Sequence, residues 1–543
     1  MANEARVVEE GAGSSSGDTF YSVLAARAAA EPDRPYLHDG TRSRSYRELL
    51  SEVDALAAGL AGRGIGRGDR VVLWLPNGVE WAVAFFACAR LGAAAVMAGT
   101  RLRAPELRHI LVDSAARTLI WKPRFLSFDY DAMVENAIRD GHGRPLANVR
   151  DLLSVGASEV PGAVQIDRLA AGELGEPLAD PDEVAVICYT SGTTDQPKGC
   201  LHSHRTLVRN GTVAARLTGI GQRDRVLCPV PFAHVFGFHM GVLQTALSGA
   251  TLVNGEPYGA ERLLDLAESE GATILYMVPA MAREVLAAQG RNPRQLDRLR
   301  VCLLAGAPVS AKLREAVADP GAGLGSKLSI VYGCTEAPTL TQLDPGAPPS
   351  RRLRSVGRAT PGVELKICRR GSSQELPAGE TGEILARGYN RMLGYLDDDE
   401  ATARKLRDGW LATGDLGWLD EEGYLQFVGR ADEMFVVGGF NAYPREIETR
   451  LEEMPGVAEV AVTGVPDRRL GQVPMAWATV EDPGLDEEQI IEWTRDRIAS
   501  YRRPRYCRIV GSLPRTASGK LSRVKLQWLA RRALPGLDWD GEG

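Results

Sequence analysis

Residues 189–199, YTSGTTDQPKG, gather hydroxyls, glycine and one lysine directly behind an apolar run. Thr190, Ser191, Thr193 and Thr194 can donate from their side chains, Gly192 lets the backbone come close to an anion, and Lys198 adds a point charge. Together these suit a phosphate. The segment is not a Walker A loop, because Lys198 follows Pro197 rather than glycine and no Ser or Thr follows it. Its length and order set it apart from an ordinary polar surface turn. A second candidate is His234, set among Phe232, Phe236 and Phe238; a lone histidine in such a stretch is more often a satisfied core residue than a reactive one. The 8 cysteines are scattered without CxxC spacing, so they imply neither a zinc site nor a disulfide framework, and a reducing cytoplasm fits them.

Such residues need a scaffold of 543 residues to hold them, too many for one ordinary core, so two or more packed units are expected. Apolar runs at 71–75, 184–188, 274–278 and 301–304 read as buried strands, and helical patterns such as 261–270 lie between them. This alternation predicts α/β layering. Gly- and Pro-rich text at 344–349 and 377–382 marks surface connections. The last hundred or so residues change texture: strands near 459–465 and 473–480, a helix over 487–499 and another after Ser522 predict a separate small α+β domain. The most apolar stretch, 82–99, is interrupted by Arg90 and Gly92 and reads as a buried helix followed by a strand, not a membrane span. Residues 1–17 carry Glu4, Glu9 and Glu10 and then a Gly/Ser run, which predicts a flexible tail rather than a secretory signal. A net charge of -6 with 44% hydrophobic and 25% charged residues excludes global attraction to nucleic acid or anionic lipid.

Residues 189–199 resemble the phosphate loop of the adenylate-forming superfamily, which includes acyl-CoA synthetases, peptide-synthetase adenylation domains and beetle luciferases. Further matches follow in the order that superfamily uses: PFAHVFGF at 231–238, AGAP at 305–308, YGCTE at 332–336, SVGRATPGVE at 355–364 and GEILARGYNRMLGYLDDDEAT at 382–402. GWLATGDLG at 409–417, GRADEMFVVGGFNAYPREIE at 429–448 and LPRTASGK at 513–520 complete the set. The resemblance runs from about Thr19 to near the end of the chain. It implies a large α/β N-terminal domain over 18–431, layered from mostly parallel sheets and helices with a smaller β subdomain, and a mobile α+β lid over 432–543 hinged at Asp432.

The resemblance also implies the chemistry. A carboxylate attacks the α-phosphate of ATP, giving acyl-AMP and pyrophosphate, and a thiol then displaces AMP. Lys520 would bridge the acyl carboxylate and phosphate oxygens, Thr335 would donate to the α-phosphate and Glu336 would help hold Mg2+. Asp415 would accept both ribose hydroxyls with Arg430 donating beside it, while Gly306, Ala307, Pro308, Tyr332, Gly333 and Phe427 would surround the nucleotide. An acyl pocket would run past His234, Phe236, Phe238, Met277, Ala305, Gly306, Gly333 and Cys334; the small residues on one wall imply room for a bulky hydrophobic acid. Gly438, Gly439 and Phe440 would border the pantetheine after the lid turns, and Tyr501, Arg503 and Arg505 would meet the nucleotide end of coenzyme A.

The loop departs from the superfamily at Asp195, where TTG-x-PKG has glycine. A carboxylate about 4 Å from the outer phosphates costs on the order of 4 kcal/mol at an effective dielectric of 20, about a thousandfold in ATP use. Acyl-AMP lacks those phosphates. Two outcomes stay open: impaired adenylation with transfer to CoA intact, which makes a separate adenylating enzyme a candidate partner, or a complete ligase in which Asp195 turns outward or helps hold the metal. Loading of a carrier protein and silent adenylate binding are the rival functions; monomer and homodimer are both compatible with the sequence.

Overall fold

The computed structural model describes residues 18–40, 42–140, 142–190, 197–321, 323–515 and 521–539. The expected tail, residues 191–196 with Asp195, and Lys520 lie outside the described residues. The apolar runs fold into two parallel-cored sheets. The first has nine strands, in the order Arg358–Ala359, Ala337–Gln342, Lys327–Cys334, Val301–Ala305, Ile274–Met277, Arg225–Cys228, Thr251–Asn254, Pro35–His38 and Ser43–Ser45. From Lys327–Cys334 to Pro35–His38 the pairs are parallel, and antiparallel strands close both edges. The second has eight, in the order Gly394–Tyr395, Gly199–Ser203, Val184–Tyr189, Ala94–Met97, Arg70–Trp74, Thr118–Trp121, Asp151–Ser154 and Val164–Gln165.

Continuous rather than alternating apolar runs are what strands covered on both faces require. The same logic resolves the apolar stretch 82–99: helix Val79–Leu91 is buried on nearly every side and leads into strand Ala94–Met97. No helix among the described residues is long and apolar enough to cross a membrane. The smaller β subdomain is antiparallel, with strands Val363–Cys368, Gly382–Gly388, Trp410–Leu419 and Leu406–Arg407 in order and Leu425–Arg430 paired to Trp410–Leu419.

The C-terminal residues build their own core on a sheet of Phe440–Ala442, Phe435–Val437, Gly471–Val480 and Val457–Asp467, with Tyr506–Ile509 parallel to Gly471–Val480. Helices Pro444–Leu451 and Arg523–Ala533 contribute Ile447, Leu451, Leu526 and Ala530 to that core. The helix expected over 487–499 is shorter, Glu487–Trp493. Thr494 ends it: its hydroxyl donates to Ile491 O at 2.6 Å and closes the last turn, although Ile498 beyond it still packs on the core. The lobes meet at Glu459, whose Oε1 accepts from Arg283 of the large lobe and, at 2.6 Å, from Arg515 of its own.

Candidate active site

The two parallel-cored sheets meet where Gly394–Tyr395 and Gly199–Ser203 of one contact Thr335 and Glu336 beyond the carboxyl end of Lys327–Cys334 of the other, the end at which α/β folds place their ligands. At the neck of the phosphate loop, Thr190 N–H donates to Lys198 O (2.9 Å) and Lys198 N–H to Thr190 Oγ1 (3.1 Å). Lys198 Nζ is paired with Asp398 Oδ2 at 3.1 Å and lies 5.6 Å from the Tyr395 ring centroid. Asp398 in turn caps helix Asp399–Lys405 through Ala401 N–H. The loop lysine is therefore already neutralised by a carboxylate. Of the residues predicted for this loop, Ser191, Gly192, Thr193, Thr194 and Asp195 fall outside the described residues, as does Lys520.

Glu336 follows the strand Lys327–Cys334 and is buried. Tyr395 O–H donates to its Oε1 at 2.6 Å, and Lys405 Nζ lies 3.6 Å from the same oxygen. Burial alone would raise the Glu336 pKa, but the Lys405 charge and the Tyr395 hydroxyl outweigh it and hold the group below the ordinary carboxylate value. Lys405 also donates to Thr413 O at 3.0 Å, two residues before Asp415. Thr335 is fixed through its carbonyl, which accepts from His202 Nε2 at 2.8 Å. Burial pushes His202 down to about 4, so its ring is neutral with the proton on Nε2.

Asp415 is set opposite Arg430 by the register of their antiparallel strands. Its Oδ2 accepts from Tyr332 O–H (2.8 Å) and its Oδ1 from Arg430 Nη1 (2.9 Å). Burial pushes the Asp415 carboxyl up and the Arg430 charge opposes it. Arg430 is desolvated too, yet Asp415 and Asp432 together hold it protonated more firmly than usual. Its Nε reaches Asp432 Oδ1 at 3.2 Å, so one guanidinium ties the ribose candidate to the hinge candidate. Asp415 follows an irregularity in the strand Trp410–Leu419, where Gly414 takes φ 77. Tyr332 packs on Phe427 with centroids 5.7 Å apart; Gly306 and Pro308 are exposed and Ala307 is half-buried.

His234 opens the segment that enters the π-helix Phe236–Leu243. Its Nδ1 accepts from Phe236 N–H at 3.2 Å, which fixes the neutral tautomer with the proton on Nε2. A Cβ on Gly237 would lie 2.0 Å from Pro231 O, so only glycine permits this tight entry. Two predicted acyl residues point elsewhere. Phe238 is fully buried against Phe85, whereas Phe236 packs on Tyr276. Met277 faces the other side of the sheet with Leu275 and Leu304, because neighbours in a strand alternate; Tyr276 shares a face with Ala305. Ala305 is buried in the core, Cys334 is half-buried beside Glu336 and Gly333 is exposed.

A sequence profile for AMP-binding enzymes matches residues 24–396, and a profile for the AMP-binding enzyme C-terminal domain matches residues 446–520. The chain belongs to the AMP-binding enzyme family. Within the adenylate-forming superfamily it is an acid–thiol ligase of the AMP-forming acyl-CoA synthetase type. An indoleacetate–CoA ligase of Aromatoleum aromaticum is 34% identical over 93% of this chain and 97% of its own. The long-chain-fatty-acid–CoA ligase FadD13 of Mycobacterium tuberculosis is 31% identical over 93% of this chain and 97% of its own. The crystal structure of the anthranilate CoA ligase AuaEII in complex with anthranoyl-AMP aligns with a TM-score of 0.86 at 28% identity, covering 96% of this chain and 99% of that one.

In this ligase the residues predicted to meet CoA gather on the small lobe. Phe440 is 61% exposed and stacks on Tyr501, with centroids 5.0 Å apart. Arg502 lies over the other ring at 5.2 Å, Arg503 is half-buried, and Arg505, Gly438 and Gly439 are exposed. Tyr395, Lys405, His202 and Tyr276 are the residues that sequence reasoning missed. Tyr395 lies inside a quoted motif and Lys405 three residues beyond it, so proximity to the motif was a signal; His202 and Tyr276 carry none.

Proposed function

We propose that the ligase joins a hydrophobic carboxylic acid to CoA through an enzyme-bound acyl-adenylate, and that Asp195 slows the ATP-using step relative to transfer to the thiol. One observation carries the reading: Lys405 spans the Glu336 carboxylate and the strand that presents Asp415, so one side chain links the candidate metal end to the candidate ribose end. The buried Asp415 keeps lone pairs for the ribose hydroxyls after accepting from Tyr332 and Arg430. Glu336 stays ionised at neutral pH and offers one carboxylate; no cluster of three metal-binding side chains exists among the described residues, which suits a Mg2+ held mainly by phosphates and water. Bound there, Mg2+ would neutralise phosphate charge as the carboxylate attacks.

This chain's own groups then divide the work. Thr335 donates to the α-phosphate, Lys520 bridges carboxylate and phosphate, and His234, its proton fixed on Nε2, presents a donor beside the acyl group. Attack of the CoA thiol on the acyl carbonyl forms the thioester and releases AMP. The Asp195 reading gains support from Lys198, whose pairing with Asp398 leaves the loop less positive charge to offset a carboxylate facing the outer phosphates. Free CoA is favoured over a carrier protein by the stacked pair of Phe440, which is exposed, and Tyr501, with Arg502, Arg503 and Arg505 beside them in the chain; aromatic and cationic groups so combined suit an adenine nucleotide.

The test separates the half-reactions. Wild type is expected to release pyrophosphate slowly from ATP, Mg2+ and acid but to convert synthetic acyl-adenylates and CoA to thioester quickly. Asp195→Gly is expected to raise pyrophosphate release by as much as about a thousandfold with transfer unchanged. Ordinary pyrophosphate release by wild type would refute the role of Asp195; absence of thioester from every adenylate would refute the ligase reading.

A further inference from the structure

Loops that leave the carboxyl ends of three strands are tied together at one residue. Residues 75–78 follow strand Arg70–Trp74 of the eight-stranded sheet, while 229–234 and 255–257 follow Arg225–Cys228 and Thr251–Asn254, parallel neighbours in the nine-stranded sheet. Asn77 stands at the crossing with every polar atom it has engaged. Its side chain grips the segment that leads to His234: Oδ1 accepts from Phe232 N–H at 2.7 Å and Nδ2 donates to Val230 O at 2.9 Å. Its backbone is held by the third loop, N–H donating to Glu256 Oε2 at 2.5 Å and the carbonyl accepting from Asn254 Nδ2 at 3.1 Å.

Only this orientation of the amide fits: turned over, it would set an oxygen against Val230 O and an NH2 group against Phe232 N–H. By meeting the carbonyl of 230 and the N–H of 232, the side chain acts as a parallel strand would toward residue 231. Beyond Phe232 the turn continues through His234 N–H to Pro231 O at 3.0 Å and Phe236 N–H to His234 Nδ1 at 3.2 Å. Phe232 itself is fully buried on Trp81, whose helix begins two residues after Asn77. That apolar contact covers the ring but has no preferred direction, whereas the two hydrogen bonds fix how the backbone is turned. The His234 imidazole is thus indexed, through Phe232, to a loop of the other sheet.

We propose that Asn77 is a positioning residue for the ligase reaction: by holding residues 230–232 it sets His234 against the acyl-adenylate, and Glu256 and Asn254 serve it by fixing its backbone. The inference rests on the reading of His234 as a donor beside the acyl group. Without the amide, Trp81 still covers Phe232 and the chain folds, but the imidazole drifts. A misplacement of about 1 Å costs about a hundredfold in rate, so a loss of about ten- to a hundredfold is expected.

The experiment follows transfer to CoA from synthetic benzoyl-AMP or decanoyl-AMP, whichever wild type uses faster, in Asn77→Ala, His234→Ala and the double variant, with thermal denaturation to confirm folding. Asn77→Ala is expected to lower kcat by about ten- to a hundredfold while the KM for CoA stays within about twofold. In the His234→Ala background the same change should cost less than about twofold, because the group it positions is gone; a merely structural role would cost the same in both backgrounds. Hydrogen exchange over 230–236, read by mass spectrometry, should quicken by at least about fivefold in Asn77→Ala. Asn77→Asp keeps the volume and the bond to Phe232 N–H but sets two oxygens against each other at Val230; it should fall between wild type and Asn77→Ala, and it decides the matter if the latter does not fold. Wild-type kcat in the Asn77 variants, an equal cost in both backgrounds, or unchanged exchange over 230–236 overturns the inference. Transfer by His234→Ala as fast as wild type would refute the reading of His234, and thioester from neither adenylate the ligase reading; the exchange data would then decide by themselves whether Asn77 holds its segment.

Discussion

Lys405→Met keeps the length of the side chain and removes its charge. In the native protein Nζ lies 3.6 Å from Glu336 Oε1, and the two side chains are only 21% and 10% exposed. At an effective dielectric of about 20 that separation is worth about 4–5 kcal/mol, and solvent screening is slight for groups so covered. The Tyr395 hydroxyl remains as a donor and the site relaxes, so about 2 kcal/mol of net loss is expected, about 30-fold in affinity for Mg2+·ATP. The pH dependence has a definite sign. Glu336 is held below its ordinary value, so its stabilising charge is present above the unfolded carboxylate pKa and is lost only as pH falls through the lower folded value. Without Lys405 the folded value rises, and the acid limb moves to higher pH. Calorimetric titration of Mg2+·ATP from pH 5 to pH 8 should show the largest deficit at the acidic end. AMP should weaken by only about fivefold, through the lost bond to Thr413 O. An Mg2+·ATP affinity within about twofold of wild type, with the same pH profile, would refute the assignment of Lys405 as the link between the two ends of the site.

Two further perturbations probe the lobes. Glu459→Gln removes the carboxylate that Arg283 and Arg515 share, leaving two guanidinium groups against a neutral amide. Adenylation should slow by about tenfold while transfer from a preformed adenylate is preserved, measured by rapid quench on each half-reaction; an equal change in both would contradict a role in lobe orientation. Tyr501→Ala should raise the KM for CoA by about tenfold with kcat retained, because the ring that backs exposed Phe440 as a stacking surface for the base is lost, while phosphopantetheine as acceptor should be unaffected. Equal effects on the two acceptors would remove Tyr501 from the nucleotide site.

The pattern of what could be read from the chain follows from whether a role is local. Thr190, Asp415 and Arg430 lie in short segments, so linear motifs could mark them as candidates. Glu336 was marked as a candidate the same way, but the residues that keep it ionised were not: Lys405 and Tyr395 reach it across 69 and 59 positions, and only the fold brings them there. Phe238 and Met277 were misplaced because a one-residue change of parity reverses the face of a strand, and a π-helix turns its neighbours by an angle that helical spacing does not anticipate. Four continuous apolar runs marked two strands in each sheet to within a residue or so, because runs that short, rich in Val, Ile and Leu, fit strands covered on both faces. The helix after Glu487 came out too long because nothing in its apolar pattern marks the hydroxyl of Thr494, whose bond to Ile491 O closes the last turn.

The most direct measurement is a single-turnover reaction of the purified ligase with synthetic benzoyl-AMP and CoA, followed by mass spectrometry, in wild type and in Asp415→Asn. The account predicts benzoyl-CoA and AMP in equal amounts from wild type and slower transfer from the variant, whose neutral side chain no longer pairs with Arg430. Benzoyl-AMP that binds but never passes its acyl group to sulfur, or transfer indifferent to Asp415, would contradict it.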